Sequence, residues 1–290
     1  MRRRMDSAQT VLAALEISLF LLGTYFLVRV LSSPERRLAW FGGNRIPHWP
    51  VTGHEVTLLV VLIFLCGFAG QSLAVQVFSG SIKDTADRNG LEVLVYGAAF
   101  HGSALFGWLL FRGLRQWIYS DYGTLPAAIP PSPRLPLGQM LGTAAIGLIV
   151  ALPALTAVSI GWEFVVQSFG FSAEPQDLID IFAKTNSPVI IVGMLMVACV
   201  LAPINEELLF RAGIFRFLRQ RFGRSTAFVL SGVFFGALHG NLAGFLPLAL
   251  LGGALALVYE KTGDLRVSIS FHALFNVNTV IIILSGLPDL

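Results

Sequence analysis

The chain has 290 residues, of which 55% are apolar and 13% charged, about half the roughly 25% charge of soluble domains. With a mean hydropathy of +0.73, that composition excludes an ordinary soluble domain. The net charge of +3 and pI near 9.1 fit basic cytosolic loops, and nothing in the pattern suggests a nucleic-acid-binding surface.

The apolar residues come in blocks. Val56–Ile82, Val93–Phe111, Leu135–Trp162, Thr185–Asn205, Ser225–Tyr259 and Val267–Pro288 contain no Asp, Glu, Lys or Arg. A helix needs about 20 apolar residues to cross roughly 30 Å of hydrocarbon, so the expected class is an all-α, polytopic integral membrane bundle, multi-pass in a cell membrane. The expected unit is a single membrane domain, 1–290. Within it, 1–187 supplies N-terminal helices and loops, and 188–286 forms a core carrying the chemistry.

In chain order, Val11–Leu31 follows three arginines, Arg2–Arg4. It is too long for a signal peptide, lacks a small-residue cleavage site and carries Glu16 and Arg29. It reads as a first span or as a helix lying in the interface. Spans follow at about Val56–Phe78, Leu91–Phe111 and Leu137–Ile160. The linker between the last two contains Pro126, Pro130, Pro131, Pro133 and Pro136, which no helix interior tolerates. A fifth helix starts near Pro188 and either runs past Pro203 to about Arg219 or is divided there. Ser225–Tyr259 accommodates two helices broken at Gly240-Asn241, and the last span is Val267–Leu284. The total is seven or eight helices. The basic cluster Arg211, Arg216, Arg219, Arg221 and Arg224 belongs at the cytosol. That leaves either an interfacial first helix or an N-terminus on the opposite side. Cys66 and Cys199 sit in apolar runs, without metal-ligand spacing, and read as packing residues.

Ionisable groups at bilayer depth are costly and mark function by default. Glu206, Glu207 and Arg211 lie in Ala202-Pro-Ile-Asn-Glu-Glu-Leu-Leu-Phe-Arg211; His239 follows in Phe235-Gly-Ala-Leu-His239; His272 and Asn276 share the last helix. Glu207 and Arg211, at i and i+4 with the acid first, have the favourable order for an ion pair. Glu206, turned about 100° away, lacks that partner. Phe235 with His239 and His272 with Asn276 also share helix faces. One unpaired carboxylate, an imidazole and a His/Asn donor pair form a hydrolytic set: base, water holder and oxyanion stabiliser. The plainer reading makes Glu207–Arg211 a structural pair, Glu206 a water-facing acid, and His239 and Asn276 interhelical hydrogen-bonding residues. His101, Gln71 and Gln76 read as interhelical polar contacts, and Glu16 as a headgroup-level acid.

These residues resemble the CAAX protease and bacteriocin-processing family of intramembrane glutamate proteases, including the type II CAAX prenyl endopeptidase. The family's signatures Glu-Glu-x-x-x-Arg, Phe-x-x-x-His and His-x-x-x-Asn occur in order as Glu206-Glu207…Arg211, Phe235…His239 and His272…Asn276. The resemblance covers about Pro188 to Gly286. It implies Glu206 as the base that activates water with His239, His272 and Asn276 as the oxyanion hole, and Glu207, Arg211 and Phe235 as structural support. It further implies no cofactor or metal, membrane lipids as surroundings, and a peptide or protein substrate that is lipidated or membrane-bound. Two alternatives stay open. One is a non-catalytic immunity or scaffold protein that retains the fold. The other is a zinc protease ligated by Glu206, His239 and His272, although His-Glu-x-x-His is absent. A proton-coupled transporter fits less well, because no pair of interrupted helices recurs in two halves.

Overall fold

A computed structural model describes residues 7–83, 87–121, 133–171, 181, 184–185 and 187–285; Arg2–Arg4, Pro126, Pro130, Pro131 and Gly286 lie outside them. The described residues form nine helices and no strand: α1 Ser7–Leu31, α2 Pro34–Phe41, α3 Gly53–Ile82, α4 Arg88–Asp121, α5 Leu137–Ser168, α6 Pro188–Arg221, α7 Arg224–Leu238, α8 Phe245–Thr262 and α9 Leu265–Ser285. Seven are long and apolar enough to cross a membrane, and α7 is apolar but shorter. The chain is a multi-pass membrane protein.

The short helix α2 was not expected from the hydropathy. Its start is local chemistry: the Ser33 side chain accepts the Arg36 N–H, and Pro34 occupies the first turn, where a missing N–H costs nothing. Helix α4 also runs beyond Phe111 to Asp121. Its polar last turns are tied to the start of α3, where Arg115 Nε lies 2.9 Å and Tyr119 Oη 3.1 Å from Glu55 Oε1.

Helix α1 packs as a member of the bundle and is long and apolar enough to span. It packs along α5, and Gln9 at its start donates to the Ser285 carbonyl at the end of α9 (2.9 Å). Its far end leads into α2, whose Phe41 carbonyl accepts from Arg224. It therefore runs from one end of the bundle to the other. Pro153 in α5 lacks the N–H that would bond the Ile149 carbonyl, and the α1 backbone closes on that freed oxygen at Gly23, where a Cβ would lie only 2.1 Å from it. Glu16 is buried in this packing, with its carboxyl bonded to the Asn278 side chain.

Helix α6 is continuous through Pro203. The proline ring excludes the ordinary hydrogen bond to the carbonyl four residues back. The backbone responds with a wider π-helical turn over Val197–Leu201, in which the Ala202 N–H reaches back five residues to Val197. A second π-helical stretch, Leu208–Phe215, follows the two glutamates. Such insertions in long helices recur at functional sites.

One end of the bundle is basic and heavily stitched. Glu260, fully buried, pairs with Arg219 (2.6 Å) and Arg224 (2.8 Å). Arg216 donates to the Pro47 and His48 carbonyls, Lys261 to the Ala39 carbonyl, and the Arg45 N–H to the Glu260 carbonyl. Residues 39–48 thus form a strap across the ends of α6, α7 and α8. Beneath it the α8–α9 turn is recessed: Thr262 and Asp264 are buried, and Gly263, at φ 69°, leaves no room for a Cβ against the Arg45 carbonyl at 2.5 Å.

Candidate active site

Helices α6, α7 and α9 carry the charged and polar residues that sequence reasoning singled out. Glu206 Oε2 lies 3.8 Å from His239 Nε2 and 3.8 Å from His272 Nε2. Two histidines from different helices therefore converge on one carboxylate oxygen. By helix rise from the basic end, His239 is about 22 Å along its helix and His272 about 10 Å, a mismatch that suggests misplaced helix starts. The starts, Arg224 and Leu265, lie within two residues of the expected Ser225 and Val267. The convergence at 3.8 Å therefore comes from how the helices sit against one another, with the α8–α9 turn buried under the 39–48 strap.

The ring orientations follow from their partners. His239 Nδ1 lies 2.7 Å from the Phe235 carbonyl, which only accepts, so Nδ1 carries the proton and the neutral ring presents a lone pair at Nε2. His272 Nδ1 lies 3.0 Å from Glu207 Oε1, another acceptor, with the same consequence. A neutral His272 therefore aims an acceptor at Glu206, and only its imidazolium form donates from Nε2. The geometry thus adds a condition to the expected His/Asn donor pair: His272 donates only as its imidazolium.

Glu206 and Glu207, adjacent in sequence, have opposite surroundings. Glu207 is fully buried and held from three sides: Arg211 Nη1 at 3.0 Å, His272 Nδ1 at 3.0 Å and the Ser268 hydroxyl, which donates at 2.5 Å. Arg211 is also fully buried, donates from Nη2 to the Gly252 carbonyl (3.0 Å), and lies 4.5 Å over the Phe235 ring. Phe235, with no exposed surface, stands 4.9 Å from the His239 ring and 5.6 Å from the His272 ring. By contrast the Glu206 side chain is 25% exposed, yet its Oε2 is buried without a protein hydrogen bond.

Asn276 sits apart from this cluster of contacts. Its Nδ2 donates to the Ala198 carbonyl in the first π-helical turn (2.7 Å), which leaves a second N–H on the same nitrogen. Among the described residues, no group of three or more His, Cys, Asp or Glu is arranged to hold a metal ion. Two supporting residues escaped the sequence reading. Ser268 precedes His272 by four residues, so its place on the same face was readable. Asn205, which donates to the His101 carbonyl (2.9 Å), gave no signal beyond being polar in an apolar run.

Residues 188–278 match the family model described as type II CAAX prenyl endopeptidase Rce1-like. The similarity to that family lies in this segment. A Bacillus subtilis (strain 168) protein named "Putative membrane peptidase YdiL" is 33% identical over 88 residues, which is 30% of this chain and 36% of that protein. The chain thus aligns with little more than a third of that relative's length. No solved structure matches the chain. The matched segment contains Glu206, Glu207, Arg211, Phe235, His239, His272 and Asn276, whereas α1 to α5 lie outside it.

Proposed function

We propose that the chain is an intramembrane endopeptidase in which Glu206, without a metal, activates a water molecule for attack on a peptide bond. The observation that carries this reading is the convergence of Glu206 Oε2 and His239 Nε2 at 3.8 Å, a gap too long for a hydrogen bond and suited to one bridging water. That water gives one O–H to Glu206 and the other to the His239 lone pair, keeping its own lone pairs free for the carbonyl carbon. On attack, the water proton passes to Glu206 and the carbonyl oxygen becomes an oxyanion. His272, as the imidazolium that Glu207 supports, donates to this oxyanion together with the free Asn276 N–H. The C–N bond then breaks as Glu206 returns its proton to the leaving nitrogen.

Glu207 and Arg211 act behind the site: removal of either leaves a buried charge unpaired, so the pair fixes His272. Glu206 lies 15 residues before Arg221, about 22 Å along the helix, so the scissile bond must be brought well below the basic surface. A peptide or protein held at the membrane, lipidated or plain, is the substrate class this depth favours.

The test is cleavage of a panel of prenylated and plain peptides by the detergent-purified chain, followed by mass spectrometry with and without chelator. Cleavage by wild type that Glu206→Gln and His239→Ala lose, indifferent to chelator, is the expected result. Loss of cleavage with chelator and recovery with zinc would replace the mechanism by a metal one. Silence of the folded wild type across the panel would favour a binding role.

A further inference from the structure

The lower half of α4 is a seam against α6. Its positions 90, 94, 97 and 101 fall on one face at the helical spacing of three and four residues. Each meets a successive part of the parallel helix α6 or the residues leading into it. A Cβ on Gly90 would lie 2.7 Å from Thr185 Oγ1 and 3.0 Å from Ile190 Cγ2, and one on Gly193 would lie 2.7 Å from Leu94 Cδ1. A Cβ on Gly97 would lie 3.4 Å from Val197 Cγ1. The next residue of the seam is His101, whose carbonyl accepts the Asn205 Nδ2 at 2.9 Å. The seam therefore delivers His101 beside the residue that immediately precedes Glu206.

Two further observations concern the ring itself. His101 Nδ1 is buried and has no hydrogen-bond partner, and Glu206 Oε2 is the carboxylate oxygen in the same condition. The Glu206 carboxylate is also the charged group that acts electrostatically on the His101 ring. A buried nitrogen and a buried oxygen, each unsatisfied and carried on neighbouring helices, are costly unless something joins them. Packing alone does not explain an imidazole here, since Phe100 supplies the aromatic surface, with ring centroids 5.3 Å apart and near-perpendicular planes. Ser103, the neighbouring polar residue, faces the other way, into Gly70 of α3.

We propose that His101 is a positioning residue of the site, holding the Glu206 carboxylate from a helix outside the family-matched segment. A polar ring nitrogen joined to the carboxylate through a water molecule or the bound peptide group sets which way its oxygens point. The other groups around Glu206 do different work: His239 and His272 face the reacting side, and Arg211 is committed to Glu207. This inference deepens the proposed peptidase reading and rests on it for its catalytic consequence, though not for the contact itself.

Two readouts separate the contact from the function. The first needs no substrate: the purified full-length protein is treated with dicyclohexylcarbodiimide at pH 7, and Glu206 modification is quantified by peptide mass spectrometry. His101→Phe should raise Glu206 labelling several-fold by depriving the carboxylate of its polar partner, while buried Glu207 stays unlabelled. His101→Asn, whose amide nitrogen falls where Nδ1 was, should restore wild-type labelling. The second readout is kinetics on whichever panel peptide the wild type cleaves. His101→Phe should lower kcat by about 10- to 100-fold, the scale of a misplaced catalytic group, with KM unchanged, and Asn should rescue it. If Phe lowers the melting temperature, Asn against Gln decides instead, because Gln offers its nitrogen at the Nε2 position. Equal labelling in wild type, Phe and Asn would overturn the proposal. Changed labelling with a wild type that cleaves nothing would keep the contact and sink the peptidase.

Discussion

Glu206 and Glu207 show how one residue type takes two roles through its surroundings. Glu207 has three polar partners and no exposure, and its removal leaves the fully buried Arg211 with an uncompensated charge. Breaking such a pair costs about 3–5 kcal/mol. Thermal unfolding in detergent should therefore show Glu207→Ala and Arg211→Met strongly destabilised. Glu206→Gln removes a charge that makes no protein hydrogen bond through Oε2, so it should retain the wild-type melting temperature while losing cleavage. A destabilised Glu206→Gln would mean that this residue is structural. Asp264 offers a pH test outside the spans. Burial pushes its carboxyl up, but hydrogen bonds from Arg266 and from the Leu135 N–H outweigh this and hold it below the ordinary 3.8. A carboxyl lowered on folding contributes stability that is fully present above pH 3.8 and fades as pH falls through its lower folded value. Arg266 is partly exposed, so the contribution is about 1 kcal/mol or less. The gap in melting temperature between wild type and Asp264→Asn should close as the pH is taken below 3.8.

At the level of elements, the four-residue spacings were legible and the depths were not. Glu207 with Arg211 is a four-residue relation within one helix, and sequence alone states it; the structure has the pair at 3.0 Å. The break at Gly240 was equally visible, and this glycine stands at φ 63°. The recessed α8–α9 turn depends on bonds from Arg45 and Leu135, each over a hundred residues away in sequence, and no local pattern encodes them. The same holds for His101, whose meaning comes from Asn205 on another helix, and for Pro203, where local rules allow either a break or a π-helical turn. The α7–α8 hairpin is another long-range feature. A Cβ on Gly236 would stand 2.4 Å from the Phe245 carbonyl, and one on Gly232 would stand 2.6 Å from that of Ala249. Gly236→Val should force the helices apart and shift Phe235 and His239, with a loss of up to about 100-fold in kcat. Gly253→Ala, where a Cβ meets nothing within 4 Å, is the matched control and should behave as wild type. Equal kinetics for the two variants would show that the hairpin's closeness does not set the site.

For the whole molecule, the distribution of charge predicts an orientation. Arg45, Arg115, Arg216, Arg219, Arg224, Lys261 and Arg266 gather at the end where the strap crosses α6, α7 and α8. Positive-inside placement puts that end at the cytosol. Because α1 runs the length of the bundle, Gln9 sits with Ser285 at the opposite end, so Ser7 should face the other compartment. At 1.5 Å per residue, the 34 residues of α6 measure about 50 Å against roughly 30 Å of hydrocarbon, so this helix must tilt or project. The arrangement is tested with single cysteines in a background where Cys66 and Cys199 are replaced by alanine. Ser7→Cys should react with a membrane-impermeant maleimide on intact cells, whereas Phe222→Cys, at a 56% exposed position beside the basic end, should react only after the membrane is opened. Reactivity of both from the same side would restore the in-plane first helix that the hydropathy pattern also allows. It would also require the contact between Gln9 and Ser285 to be absent in the membrane.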